Sequence, residues 1–229
     1  MKKRNINKTQ KIMILVIFVL IGIIIFLLIN FKDDEVIEEV KERYYHSETV
    51  LPSYIDGVVV YTRFVNKDSK RRTNEYRLIK YIVIHETDNR AIGTGAYKHS
   101  LYLTSNEDSV NGWHYTVDDN SIYHNLPDNM VAWHAGDGRS ENGGNMNGIG
   151  IEMAVNTDGD YNKTIENTVK LVVYLMYEYD LGIEDVKLHK DFSGKICPHR
   201  LITENKVDLF YDMIKDEYFK KYQCNKVVY

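Results

Sequence analysis

Of the eight histidines and two cysteines in this chain, His85, His189 and Cys197 stand where a strand end and a later loop could bring zinc-binding side chains together. Imidazole nitrogen and thiolate sulfur both bind that ion, and two histidines with one cysteine make three protein ligands. A fourth position is then left for water, the arrangement of a catalytic rather than a structural zinc. A structural site would want four ligands, commonly in closely spaced pairs, and no such pairs occur. Spacing alone leaves the matter open. A lone His closing a strand is often structural, and Cys197 could equally be a small buried apolar side chain.

The elements that must position these residues are legible around them. The run 81–84, rich in β-branched and aromatic residues, reads as a buried strand with His85 at its carboxyl end. In an open α/β sheet that end is where ligands are held. A strand over 186–188 leads into His189, and a loop with Gly194 and Pro198 carries Lys195, Cys197 and His199. Residues 149–155 read as another strand, whose period of two sets Ile149, Ile151, Met153 and Val155 on one face and Glu152 on the other, beside Gly150 and Ala154. A carboxylate flanked by small residues in mid-strand faces either water or a site.

The remaining pattern is that of a globular domain over 51–229. A short helix is expected around 96–104, and a hairpin over 113–124 turns at 118–120. A long loop over 127–148 contains Trp133 and His134. An amphipathic helix over 164–181 carries Ile165, Val169, Val172, Met176 and Tyr179 on one face and stops at Gly182. A final helix is expected over about 204–222.

Before the domain, residues 1–11 form a basic tail with Lys2, Lys3, Arg4, Lys8 and Lys11. The uncharged apolar run 12–29 is long enough, at roughly 27 Å as a helix, to cross a bilayer. It exceeds a signal-peptide core and is not followed by a small-residue cleavage site, so 12–31 is expected to be an uncleaved transmembrane helix. The basic tail then faces the cytoplasm and the C-terminal domain lies outside, beyond a charged stalk over 32–50. The net charge is −4; removing the tail's +5 leaves −9, which argues against binding to nucleic acid through the phosphate backbone, and no nucleic-acid partner is expected. Two cysteines make no disulfide framework.

From about residue 81 to 201 the chain resembles the zinc-dependent N-acetylmuramoyl-L-alanine amidases of type 2, a family that includes phage amidase lysozymes and peptidoglycan recognition proteins. The matching pieces, in family order, are IVIHET, GWHYTVDDN, AWHAGDG, NGIGIEMAVN and HKDFSGKICPHR. The resemblance implies an α/β fold with a mixed central β-sheet flanked by helices, a bound Zn2+, and hydrolysis of the amide between the lactyl group of muramic acid and L-alanine in bacterial peptidoglycan. By position, His85, His189 and Cys197 match the metal ligands, although His199 could compete with Cys197. Lys195 matches a lysine that stabilises the transition state, and Glu152 a general base. One branch of the family has a catalytic tyrosine where this chain has Trp113, so the base role is expected of Glu152. Trp113, Trp133 and His134 are taken as substrate-binding, with a core Trp beside a structural His as the alternative for the latter pair.

Two other function classes remain at this stage. A non-catalytic module of the same fold would bind cell-wall peptide without cutting it, and characteristically lacks a metal ligand, especially the Cys. A zinc amidase could also act on another amide. The expected partners are peptidoglycan and, through 12–31, the cytoplasmic membrane of a bacterium.

Overall fold

Seven strands among the described residues pair into one mixed sheet in the order β1-β2-β5-β4-β6-β3-β7. The computed structural model describes residues 51–105 and 108–223. The basic tail, the apolar run 12–31 and the stalk 32–50 lie outside these residues. Among the described residues no helix is long and apolar enough to cross a membrane.

In chain order the elements are β1 (Tyr54–Ile55), β2 (Val58–Thr62), β3 (Tyr81–Glu86), α1 (Ala96–Ser105), β4 (Tyr115–Val117), β5 (Ser121–His124), the short α2 (Gly144–Asn147) and β6 (Gly148–Met153). Then come α3 (Tyr161–Glu178), a 3-10 turn (Ile183–Asp185), β7 (Val186–Leu188), α4 (His189–Ser193), α5 (His199–Thr203) and α6 (Val207–Tyr218), closed by a π-helical turn (Phe219–Gln223). The centre of the sheet is parallel: β3 lies between β6 and β7, and β4 joins the far side of β6. Antiparallel pairing occurs in the β4–β5 hairpin and between β1 and β2.

Alternation along the strands divides the sheet into two faces. Ile82 and Ile84 of β3, Ile149, Ile151 and Met153 of β6, and Tyr115 and Val117 of β4 join one apolar core with α3 and α6. From α3 it receives Val169, Val172, Leu175 and Met176, and from α6 Phe210 and Ile214. The other face is set by Val83 and His85 on β3 and by Gly148, Gly150 and Glu152 on β6. α1 packs on β4 and β5. Its Leu103 belongs to a smaller apolar cluster with Val65, Leu126, Met130 and Ala132.

Two helices differ from the expectation in their boundaries. α3 begins at Tyr161 rather than 164, because the Asp160 carboxylate accepts the Asn162 and Lys163 backbone N–H groups and caps the helix one turn earlier. Gly182 does not stop it. The chain leaves the helix through Asp180 at φ +52°, while Gly182 has φ −86° and opens the 3-10 turn. The expected helix over 204–222 starts later and ends in a π-helical turn over Phe219–Gln223. α5 ends at Thr203, Asn205 takes φ +53°, and α6 starts at Val207.

Candidate metal and catalytic centre

The carboxyl ends of three neighbouring parallel strands converge on one cleft of about 540 Å³. His85 stands near the end of β3, Glu152 near the end of β6, and His189 directly follows β7. Register fixes the first pair, since His85 sits opposite Glu152 in the β3–β6 ladder. The cleft is lined by these three residues with Cys197, Lys195, Trp113, Trp133 and His134. All of the residues singled out in the sequence except His199 therefore border one space. A crevice of comparable size, about 580 Å³, lies between Met176, Leu181, Lys215 and Phe219 and contains no His, Cys or Glu.

His85, His189 and Cys197 are all buried, and one ligand atom from each lies within 4.8 Å of the other two. His85 Nδ1 and His189 Nδ1 are 3.0 Å apart, and Cys197 Sγ is 4.0 Å from His85 Nδ1. Ligands at about 2.0–2.3 Å from a tetrahedral zinc stand roughly 3.3–3.8 Å from one another, so the set needs only small adjustments to hold that ion. His199, the competing candidate, is exposed at the start of α5 and outside the cluster.

Local structure explains why Cys197 reaches the site. The Lys190 N–H donates to the Cys197 carbonyl at 3.1 Å, tying the far end of the loop to the turn that follows His189. On the other side, Glu86 holds the start of α5. Its carboxyl accepts the Arg200 N–H at 2.6 Å and the Leu201 N–H at 3.0 Å, and also bonds the Tyr161 hydroxyl. The consecutive residues His85 and Glu86 thus point to opposite faces, one joining the His-His-Cys cluster and the other fastening the segment that follows Cys197. From the sequence Glu86 reads as structural or peripheral, and the structure makes it structural. Its partners are 75 to 115 positions away, so no local pattern could have disclosed it.

Burial dominates the electrostatics. It pushes the Cys197 thiol up to about 12, with Glu152 adding to the shift and the backbone of Glu86 and the Lys195 charge opposing it. It holds His85 well below its ordinary value, helped by the neighbouring histidines. Glu152 is raised to about 8, chiefly by burial against the opposing charge of Lys195. Its Oε2 is buried without a hydrogen-bond partner. An unpaired buried carboxyl oxygen is costly to maintain, and a carboxyl with a raised pKa in the cleft that holds the three-ligand cluster marks a candidate functional group. Lys195 is exposed on the rim.

Trp113 and Trp133 are half-buried cleft walls. The Trp113 indole N–H donates to Thr116 Oγ1 at 2.8 Å, and Arg139 lies over the Trp133 ring. His134 contacts His85 directly, with His85 Nε2 and His134 Nδ1 3.0 Å apart. Val110, Asn111 and Asn145 also border the cleft and were not singled out in the sequence. Asn145 Oδ1 accepts both the His134 and Ala135 N–H groups, which holds the intervening loop in shape. His124 lies away from the cleft, paired with the buried Asp128 at 3.0 Å.

Against known proteins, the family described as N-acetylmuramoyl-L-alanine amidase matches residues 75–200. Similar curated relatives include the N-acetylmuramoyl-L-alanine amidases XlyA and CwlH of Bacillus subtilis (strain 168). XlyA is 45% identical over 122 residues, covering 53% of this chain and 40% of XlyA. CwlH is 42% identical over 122 residues, covering 53% of this chain and 48% of CwlH. The chain thus spans less than half the length of these relatives. Among solved structures, the catalytic domain of XlyA aligns with a TM-score of 0.65 at 39% identity, over 69% of this chain and 99% of that domain. PlyL aligns with a TM-score of 0.62 at 30% identity, over 68% of this chain and 96% of PlyL.

The Glu86 clamp makes a prediction. Glu86→Ala strands two backbone donors and a buried hydroxyl, and should cost roughly 2–4 kcal/mol of stability. A denaturant midpoint unchanged from the parent chain would show that the clamp does not hold α5.

Proposed function

Because the chain belongs to the N-acetylmuramoyl-L-alanine amidase family, we propose that it is a zinc-dependent hydrolase of bacterial peptidoglycan, cutting the amide between the lactyl group of N-acetylmuramic acid and L-alanine. The observation that carries this reading is the convergence of His85, His189 and Cys197 in one cleft with the unpaired carboxyl of Glu152. The names of the similar proteins support the choice of substrate.

In this reading His85, His189 and Cys197 hold zinc, which when bound polarises the scissile carbonyl and activates water near neutral pH. Glu152 takes the proton of the attacking water and passes it to the leaving amine of L-alanine. Its place in the cleft, opposite His85 across the β3–β6 ladder, supports that assignment. Lys195, at the rim, meets the negative charge that develops on the carbonyl oxygen. Trp113 and Trp133 bound the space in which the substrate lies. A recognition module that never cuts its ligand characteristically lacks a metal ligand, and here all three candidates stand in one cleft with Glu152 and Lys195, which favours hydrolysis.

We also propose that residues 12–31 anchor the protein in the cytoplasmic membrane with the domain from residue 51 outside. The support is the basic tail followed by an uncharged apolar run. Protease added to intact protoplasts should digest the domain; a protected domain, or one released into the medium, would contradict this placement.

The catalytic assignment is tested by digesting purified cell wall with the full chain and its variants. Peptides with a free N-terminal L-alanine and intact glycan are expected by mass spectrometry. Glu152→Gln should lower kcat by about 10²–10⁴-fold and Lys195→Ala by roughly 10²–10³-fold, with zinc content and binding of wall fragments retained. Near-parental turnover in Glu152→Gln would move the base elsewhere, and loss of zinc would make Glu152 a ligand.

A further inference from the structure

Behind the first ring of ligands lies a chain of hydrogen bonds whose direction can be read from one end. The Gly148 carbonyl can only accept. His134 Nε2 lies 3.2 Å from it, so Nε2 carries the proton and His134 is the donor. In a neutral imidazole the other nitrogen is then an acceptor, and His134 Nδ1 faces His85 Nε2 at 3.0 Å. His85 must therefore carry its proton on Nε2, which leaves Nδ1 as a lone pair. That lone pair is the atom turned toward His189 Nδ1 at 3.0 Å and Cys197 Sγ at 4.0 Å.

The sheet and its neighbours hold this relay in place. Arg77 donates to the same Gly148 carbonyl at 2.6 Å and to the Asp128 carbonyl at 2.9 Å, so the acceptor at the end of the chain is fixed from two sides. Gly150 makes the room: a Cβ there would lie 2.8 Å from His134 Cγ, so β6 must pass under the ring without a side chain. His114, the next histidine inward, accepts the Gly150 N–H on Nδ1 at 3.0 Å and lies 2.8 Å through Nε2 from the Met130 carbonyl. It thereby fixes the strand segment on which His134 rests.

We propose that His134 is a positioning residue for the metal centre. By accepting from His85 Nε2 and donating to the Gly148 carbonyl, it sets the tautomer and ring orientation of His85 so that Nδ1 is ready to bind the ion. This rests on the zinc reading above and assigns His134 a different task from lining the substrate groove. Outer partners of this kind are commonly worth 10–100-fold in metal affinity.

The test is the zinc affinity of the full chain in detergent, measured by competition with a chromophoric chelator. Parent, His134→Phe and His134→Gln are compared, with His85→Ala as the control for the metal reading. Phenylalanine fills the space without an acceptor, whereas the glutamine amide can both accept from His85 and donate to Gly148. His134→Phe should bind zinc about 10–100-fold more weakly, and His134→Gln should recover most of that loss. Equal affinity in His134→Phe and parent, or equal losses in both variants, would overturn the positioning role while leaving the zinc reading intact. A parent chain that binds no zinc, or a His85→Ala chain that binds it undiminished, would overturn the zinc reading instead. A measurement without substitutions decides the matter should a variant not fold. Long-range 15N correlations on the zinc-loaded chain should show the His85 proton on Nε2, and a proton on Nδ1 would overturn the proposal.

Discussion

The parallel pairing of β3 with β6, in the register that sets His85 opposite Glu152, is the constraint on which the rest of the site depends. Because side chains alternate along a strand, that register turns Ile82, Ile84, Ile149, Ile151 and Met153 to the α3 and α6 side and turns His85 and Glu152 to the cleft. A slip of one residue on either strand would send an apolar residue into the cleft and a charged or polar one into the core. Burial of a side chain such as Ile149 or Ile151 stabilises by about 1.5–3 kcal/mol, and several such residues enforce the register together. The geometry of the polar site is thus held by apolar packing on the reverse of the same strands.

Burial then creates the second constraint, that polar groups removed from water need partners. Around this cleft they are drawn from distant parts of the chain. Glu86 holds α5 and with it the loop of Cys197, and Asn145 holds the backbone of His134 and Ala135. Arg77 and the Gly148 carbonyl close the chain that begins at His85. Glu152, which borders the cleft opposite His85, has no such tie on its Oε2. Each satisfied group makes the site more rigid.

The parts of this arrangement written locally were legible in the sequence. The strand ending at His85, the face assigned to Glu152 and the hairpin turn at 118–120 each follow from a short periodic pattern. The family resemblance supplied what spacing could not: that His85, 104 positions before His189, belongs with it and with Cys197. What escaped were features decided by single contacts at long range. Asp160 capped α3 a turn early because its carboxylate met two free N–H groups, and the helix ended through Asp180 where a glycine two residues later looked the better stop. The clamp made by Glu86 and the task of His134 stay hidden because their partners, α5 and the Gly148 carbonyl, become neighbours only when the sheet is built.

X-ray absorption at the zinc edge of the loaded full chain tests the central claim, that two histidines and one cysteine from three separate segments form a three-ligand metal site, most directly. The account predicts two nitrogen scatterers at about 2.0–2.1 Å, one sulfur at about 2.3 Å and a further light scatterer from solvent. A shell without sulfur, or one filled by four protein nitrogen and sulfur ligands with no open position, would contradict it.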